Sequence, residues 1–138
     1  MTDENTDKNA IREMMATYCF RLDAGDMDGM AALFVPDGVW ETDFGTGTGR
    51  AGIAEFGRGL RVHGPGKPPR VLHLCTNIVI TLHGDTADVL SNWTTVQNSA
   101  TGPQVGSAGG YIDKMAKIGG IWMFVHRKID RFIADGKF

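Results

Sequence analysis

Long apolar runs are missing from this chain of 138 residues. None approaches the ~20 consecutive residues of a bilayer-spanning helix, which excludes an integral helical membrane protein. Cysteine is scarce: Cys19 and Cys75 are too few for a disulfide framework and fit free thiols in a reducing compartment. A basic excess is also lacking, and a formal net charge of −2 with no long Lys/Arg run argues against nucleic acid and anionic membrane surfaces as partners. The opening MTDENTDKNA is polar and acidic, without an apolar signal core, so a cytoplasmic location is expected. His63, His73, His83 and His126 form no HxH, HxxxH or Cys/His spacing, and no metal site is expected. A GxSxG elbow is absent. The run Gly45-Thr46-Gly47-Thr48-Gly49 lacks the Gly-Lys-Ser/Thr ending of a phosphate loop, so a glycine-rich hairpin or bulge is expected there. Small molecules and other proteins remain as partners.

What is present is an ordinary globular composition, with 42% hydrophobic and 22% charged residues, enough for one core and one domain over residues 1–138. Ile11, Met14, Met15, Tyr18, Cys19 and Leu22 recur at helical spacing, with Thr6, Asp7 or Asn9 as the N-cap and Gly25 as the stop. Asp26 caps a shorter helix whose apolar face is Met27, Met30, Ala31 and Phe34, and Pro36-Asp37-Gly38 reads as the turn after it. Val39 to Phe44 reads as a strand and Ala51 to Leu60 as a weak third helix, before a polar loop from Arg61 to Arg70. Four long strands follow, at Val71–Leu82, Ala87–Val96, Val105–Ala116 and Ile121–Ile133. Helices first and an antiparallel meander after them predict an α+β fold, a cone-shaped curved antiparallel sheet closed by the N-terminal helices. Its open end is a natural pocket for a small molecule.

Asp23 is out of place where it stands. It closes the first helix, where the dipole favours cations, and it adjoins the apolar face, so it is either a structural anchor or a working group. Alternation puts His73, Cys75 and Asn77 on one face of a largely apolar strand; His73 is either a half-buried histidine satisfied by a carbonyl or a base. Arg131 shares a face with Ile129 and Ile133, which suits a guanidinium that pairs with a carboxylate or an anion, or one at a strand end on the surface. Trp40, Trp93 and Trp122 read as core residues. Trp40, near the helix-to-strand turn, and Trp93 are the candidates for walls of a substrate pocket. Cys75 is a weak nucleophile candidate, with only His73 near it.

The segments TYCFRLDAGDMDGMAALFVPDGVWE, RVLHLCTNI, GGYIDKMAK and GGIWMFVHRKIDR, with a Gly-Arg-Ala-Gly-Ile helix start between the first two, resemble the SnoaL-like branch of the nuclear transport factor 2-like superfamily, from about Ala10 to Arg131. The resemblance implies the cystatin-like α+β barrel. Within the branch the chain is most similar to the Asp/His lyases scytalone dehydratase, hexachlorocyclohexane dehydrochlorinase and bile acid 7α-dehydratase. By that similarity Asp23 and His73 form a catalytic dyad. A tyrosine five residues before the aspartate corresponds to Tyr18, and an arginine nine residues after the tryptophan of the last strand corresponds to Arg131. The base position of ketosteroid isomerase is held by Thr42, with Asp43 one place on, and a one-residue shift in a strand faces the opposite side. The second active-site histidine of scytalone dehydratase lies near where this chain has Asn98, so its two-histidine arrangement is not reproduced, and the Asp-Arg-Asp pattern of limonene epoxide hydrolase is not evident.

The resemblance thus implies a lyase without cofactor or metal, acting by dehydratase-type elimination on a hydrophobic cyclic or steroid-like molecule. An isomerase or cyclase is the second reading, and a non-catalytic binding or scaffold module, in which Asp23 and His73 would not meet, is the third. Helices cover only one face of the apolar strands, so a homodimer or homotrimer is expected.

Overall fold

The computed structural model describes residues 3–60 and 69–134. Its elements are α1 (Glu4–Asp23), α2 (Met27–Ala31), β1 (Phe34–Thr42), β2 (Gly45–Thr48), α3 (Gly49–Gly59), β3 (Val71–His83), β4 (Thr86–Ser99), β5 (Gly102–Ile118) and β6 (Ile121–Ile133). Helix α1 begins earlier than its apolar spacing suggested. Asp3, not Thr6, Asp7 or Asn9, is the N-cap, its side chain accepting the Thr6 N–H at 2.8 Å. Asp7 is buried instead, and ties the start of α1 to the far end of the sheet by accepting from Trp122 Nε1 at 3.0 Å and Lys117 Nζ at 3.1 Å. The helix stops where Gly25 turns to φ 73°, a conformation that costs glycine little.

The six strands form one curled, unclosed sheet in the order β2-β1-β6-β5-β4-β3, so β2 and β3 are its edges. Strands β3 to β6 are the expected antiparallel meander. Strand β1 is the exception to an all-antiparallel sheet, since it lies parallel to β6. The chain leaves β1 through β2 and α3 and comes back four strands later, which supplies the long crossover that a parallel pair needs. Strand β1 also starts at Phe34 and runs through Pro36-Asp37-Gly38, where a turn was expected. The register against β6 slips between Phe34 and Val39, and a proline is tolerated at such an irregularity. The glycine run folds as expected, Gly45–Thr48 pairing back on β1 as a hairpin.

Helices α1 and α3 pack on the concave side, over a core that includes Ile11, Met15, Trp40, Ile53, Val89, Tyr111 and Phe124. The convex side leaves Leu72, Leu74, Val79, Leu90, Val105 and Phe132 between 45% and 68% exposed. Strict alternation along β3 fails at a bulge between Thr76 and Val79, where Asn77 adopts φ 55°. The extra residue exchanges the faces: Ile78, Ile80 and Leu82 join His73 and Cys75 on the inner side, while Asn77 turns outward to bond Asn92. Among the described residues no helix is long and apolar enough to cross a membrane. His63 and most of the expected loop from Arg61 to Arg70 lie outside the described residues.

Candidate active site

The last residue of α1 and the third of β3 meet. Asp23 Oδ1 is 2.6 Å from His73 Nδ1, and Asp23 Oδ2 accepts the backbone N–H of His73 at 3.0 Å. Two N–H donors from one residue offset the unfavourable end of the helix dipole and the burial of a side chain only 9% exposed. An ionised carboxylate accepts only, so it fixes the proton on Nδ1 and leaves the Nε2 lone pair free. No described residue bonds Nε2, and His73 lines a cavity of about 100 Å³ inside the curl of the sheet.

The walls of that cavity are aromatic: Tyr18, Trp40, Phe44, Trp93 and Tyr111. Among them stand a few polar groups, His73, Thr42, Asp43, Thr95, Ser107 and Arg131. Its volume is of the order of the ~150 Å³ cavity that takes a benzene ring, which favours a compact cyclic ligand. A larger open groove of about 380 Å³ runs along α1 and β3 and also touches Asp23 and His73. Besides the His73 ring its one aromatic residue is the exposed Phe20.

All six candidate residues of the sequence reach the inner cavity or its dyad. Tyr18 is fully buried, and its hydroxyl oxygen accepts from Trp40 Nε1 at 3.0 Å, which leaves the phenol hydrogen for a ligand. Burial pushes the Tyr18 phenol well above its ordinary range, so it acts as a neutral donor. Trp40 and Trp93 are 1% and 3% exposed and serve as walls only. The indole N–H of Trp93 is bonded to the Asp130 carbonyl at 3.1 Å, and its ring stacks on Tyr111 and lies beside His73. Arg131 lies over the rings of Trp93 and Phe44 and reaches two partners: Nε donates to Asp43 at 3.0 Å and Nη1 to Ser107 Oγ at 2.7 Å. Asp43 therefore corrects the alternation argument. Strand β1 ends at Thr42, Asp43 lies in the turn beyond it where alternation has no force, and both residues line the cavity. Ile133, expected beside Arg131 on the inner face, is 63% exposed near the end of the sheet.

Sequence reasoning missed a buried ion pair behind the site. Arg127 and Asp113 are 0% and 1% exposed, joined by Nε to Oδ1 at 2.8 Å and Nη2 to Oδ2 at 3.1 Å. The guanidinium lies over the rings of Tyr111, Tyr18 and Phe124 at 3.7, 4.2 and 4.5 Å. Burial pushes the Asp113 carboxyl up from the usual carboxylate range and the Arg127 cation pulls it back; Asp113 in turn holds Arg127 protonated despite its burial. The signal was available, since alternation that puts Arg131 with Ile129 puts Arg127 on the same face. Among the described residues no three His, Cys, Asp or Glu side chains form a cluster that could hold a metal.

Similar folds are known. A protein of unknown function from Mycobacterium tuberculosis is 26% identical, with a TM-score of 0.81 over 92% of this chain and 72% of that one. A proposed scytalone dehydratase from Novosphingobium aromaticivorans is 26% identical, with a TM-score of 0.78 over 100% of this chain and 99% of that one. A protein of the same organism described as NTF2-like with a cystatin-like fold is 25% identical, with a TM-score of 0.77 over 96% and 84%. No curated protein sequence matches the chain. The SnoaL-like domain family matches residues 3–128, nearly the whole chain, which shares the NTF2-like α+β architecture of its structural neighbours and belongs to that family.

Proposed function

We propose that this protein is a lyase that needs no cofactor and removes water from a compact, hydrophobic cyclic molecule. One observation carries the reading: the Asp23–His73 pair leaves an unbonded imidazole nitrogen at the wall of an aromatic cavity. The binding-module alternative expected these two side chains to stand apart. His73 Nε2 takes a proton from the carbon next to a carbonyl, and the C–H electron pair moves onto the carbonyl oxygen. Asp23 keeps the ring in the required tautomer and stabilises the imidazolium. When the pair returns, the hydroxyl on the β-carbon leaves with the proton held by His73, as water, so no oxidant or reductant is consumed. Tyr18 donates to a substrate oxygen, Arg131 supplies positive charge behind it, and Trp40 and Trp93 clasp the ring.

The exposed apolar convex face supports a homodimer or homotrimer built on the outside of the sheet, remote from this chemistry. The direct test is turnover of β-hydroxy cyclic ketones, followed by the absorbance of the conjugated product. Formation of the enone supports the lyase; tight binding without turnover makes the protein a carrier of the same fold, and migration of a double bond without loss of water makes it an isomerase.

A further inference from the structure

Ser107 stands in a run of small residues, Val105-Gly106-Ser107-Ala108-Gly109-Gly110, where nothing in the sequence marks it. The sheet gives it a defined place. Strands β4 and β5 lose register between Thr94 and Val96, with the extra residue on β5. Such a bulge re-aims a side chain, and here Ser107 joins the cavity wall next to Thr95, which is the partner of His73 across β3 and β4. Gly106 permits the close approach. A Cβ there would lie 2.7 Å from Thr95 Oγ1 and 2.8 Å from Gln97 Oε1, tighter than real contacts allow.

The hydrogen bonds at this corner leave the Ser107 hydroxyl hydrogen the most weakly held donor. Ser107 Oγ accepts from Arg131 Nη1 at 2.7 Å. Thr95 Oγ1 accepts the Ser107 backbone N–H at 2.8 Å, and its own hydrogen has the Ser107 carbonyl at 3.3 Å. The two hydroxyl oxygens are 3.4 Å apart, at the outer limit of a hydrogen bond. Thr95 is thus engaged as donor and as acceptor, whereas the Ser107 hydrogen has only the long contact to Thr95 Oγ1 and can turn to whatever fills the cavity. A hydroxyl that accepts from a guanidinium is polarised and becomes a stronger donor. Asp43 balances the charge of Arg131 from the other side, so a ligand oxygen at this corner meets a polarised hydroxyl and not a bare cation.

We infer that Ser107 is a catalytic residue of the proposed elimination: its hydroxyl donates to the carbonyl oxygen of a neutral cyclic ketone as negative charge builds there, with Arg131 and Asp43 as positioning residues behind it. The Ser107 proton is not transferred; it stabilises the enolate that forms when His73 removes the neighbouring proton. The inference rests on the lyase reading, and it adds that the substrate is a neutral ketone whose oxygen becomes charged only as His73 removes the neighbouring proton.

The test has two readouts. With β-hydroxycyclohexanone as the probe, losing water to cyclohexenone, Ser107→Ala is expected to lower kcat about 100-fold with little change in KM, as removal of one oxyanion donor does, and Ser107→Thr, which keeps the hydroxyl, to recover most of the loss. Binding of para-nitrophenolate, a planar oxyanion read by its absorbance, is expected to weaken about tenfold in Ser107→Ala, while para-nitrotoluene, of the same shape without the oxygen charge, binds both proteins alike. Full activity in Ser107→Ala alongside an inactive His73→Ala, or equal weakening of both ligands, overturns the role of Ser107 and leaves the dyad standing. Absence of elimination by the intact protein overturns the lyase reading instead, and the nitrophenolate contrast still reports whether Ser107 holds an oxyanion.

Discussion

Asp23 holds His73 at two points at once, the imidazole Nδ1 at 2.6 Å and the backbone N–H at 3.0 Å. One carboxylate therefore fixes the end of α1 to β3 and sets the orientation of the ring.

The two bonds separate under substitution. In Asp23→Asn an amide oxygen still accepts the backbone N–H, but the charge that stabilises the imidazolium is gone. Elimination is expected to fall by about 10²- to 10⁴-fold with the urea midpoint nearly unchanged. In Asp23→Ala the backbone N–H of His73 also loses its partner, and unfolding free energy is expected to drop by about 1–3 kcal/mol. Steady-state rates and urea titration of the two variants read these effects apart.

Tyr18→Phe removes one oxygen and touches two functions. Trp40 Nε1 loses its acceptor in a fully buried setting, which is expected to cost about 1–3 kcal/mol in a urea titration. The rate falls in addition, because no other group is bonded to take over the phenol's place. A variant with full activity at normal stability contradicts both roles.

Most of the architecture was legible because long periodic segments bury one face: the helical spacing from Ile11 to Leu22 and the four strands after Arg70 all formed. Asp23 stood out as a carboxylate set against local preference and His73 as a polar residue on an apolar strand, but their pairing as a dyad came from the family resemblance and not from the residues themselves. What escaped depends on irregularities that a period cannot express. Asn77 at φ 55° exchanges the faces of β3, the slip near Thr95 aims Ser107 inward, and the end of β1 at Thr42 frees Asp43 from alternation. The parallel pairing of β1 with β6 escaped because it joins segments 87 residues apart, such as Glu41 and Lys128, through no local signal.

The ion pair of Arg127 and Asp113 is more costly to break than to remove. Arg127→Met leaves the buried Asp113 carboxylate without its cation and is expected to lose about 3–5 kcal/mol. Asp113→Leu in the same chain removes the stranded charge and is expected to restore most of that stability. Urea midpoints of the single and double variants check this, and a double variant no better than Arg127→Met contradicts it.

The two thiols report burial through their chemistry. Burial pushes Cys19 up to about 12 and raises Cys75 as well, the latter opposed by Ser91. A raised pKa means less thiolate at a given pH, so alkylation by iodoacetamide in the native protein is expected to be slow at pH 8 and to climb about tenfold per pH unit without a plateau near 9. Cys19 reacts last, and both thiols react at once in urea. Mass spectrometry of timed samples distinguishes the sites; fast native labelling of Cys19 contradicts its burial.

His73 is the proposed base. Its most direct measurement is the exchange and elimination of β-hydroxycyclohexanone deuterated next to the carbonyl, comparing the intact protein with His73→Ala. Loss of water is expected with a primary isotope effect on kcat and a fall of at least about 10²-fold in the variant with its fold retained. Equal rates in the two proteins, or tight binding of the ring with no loss of deuterium in either, contradict it.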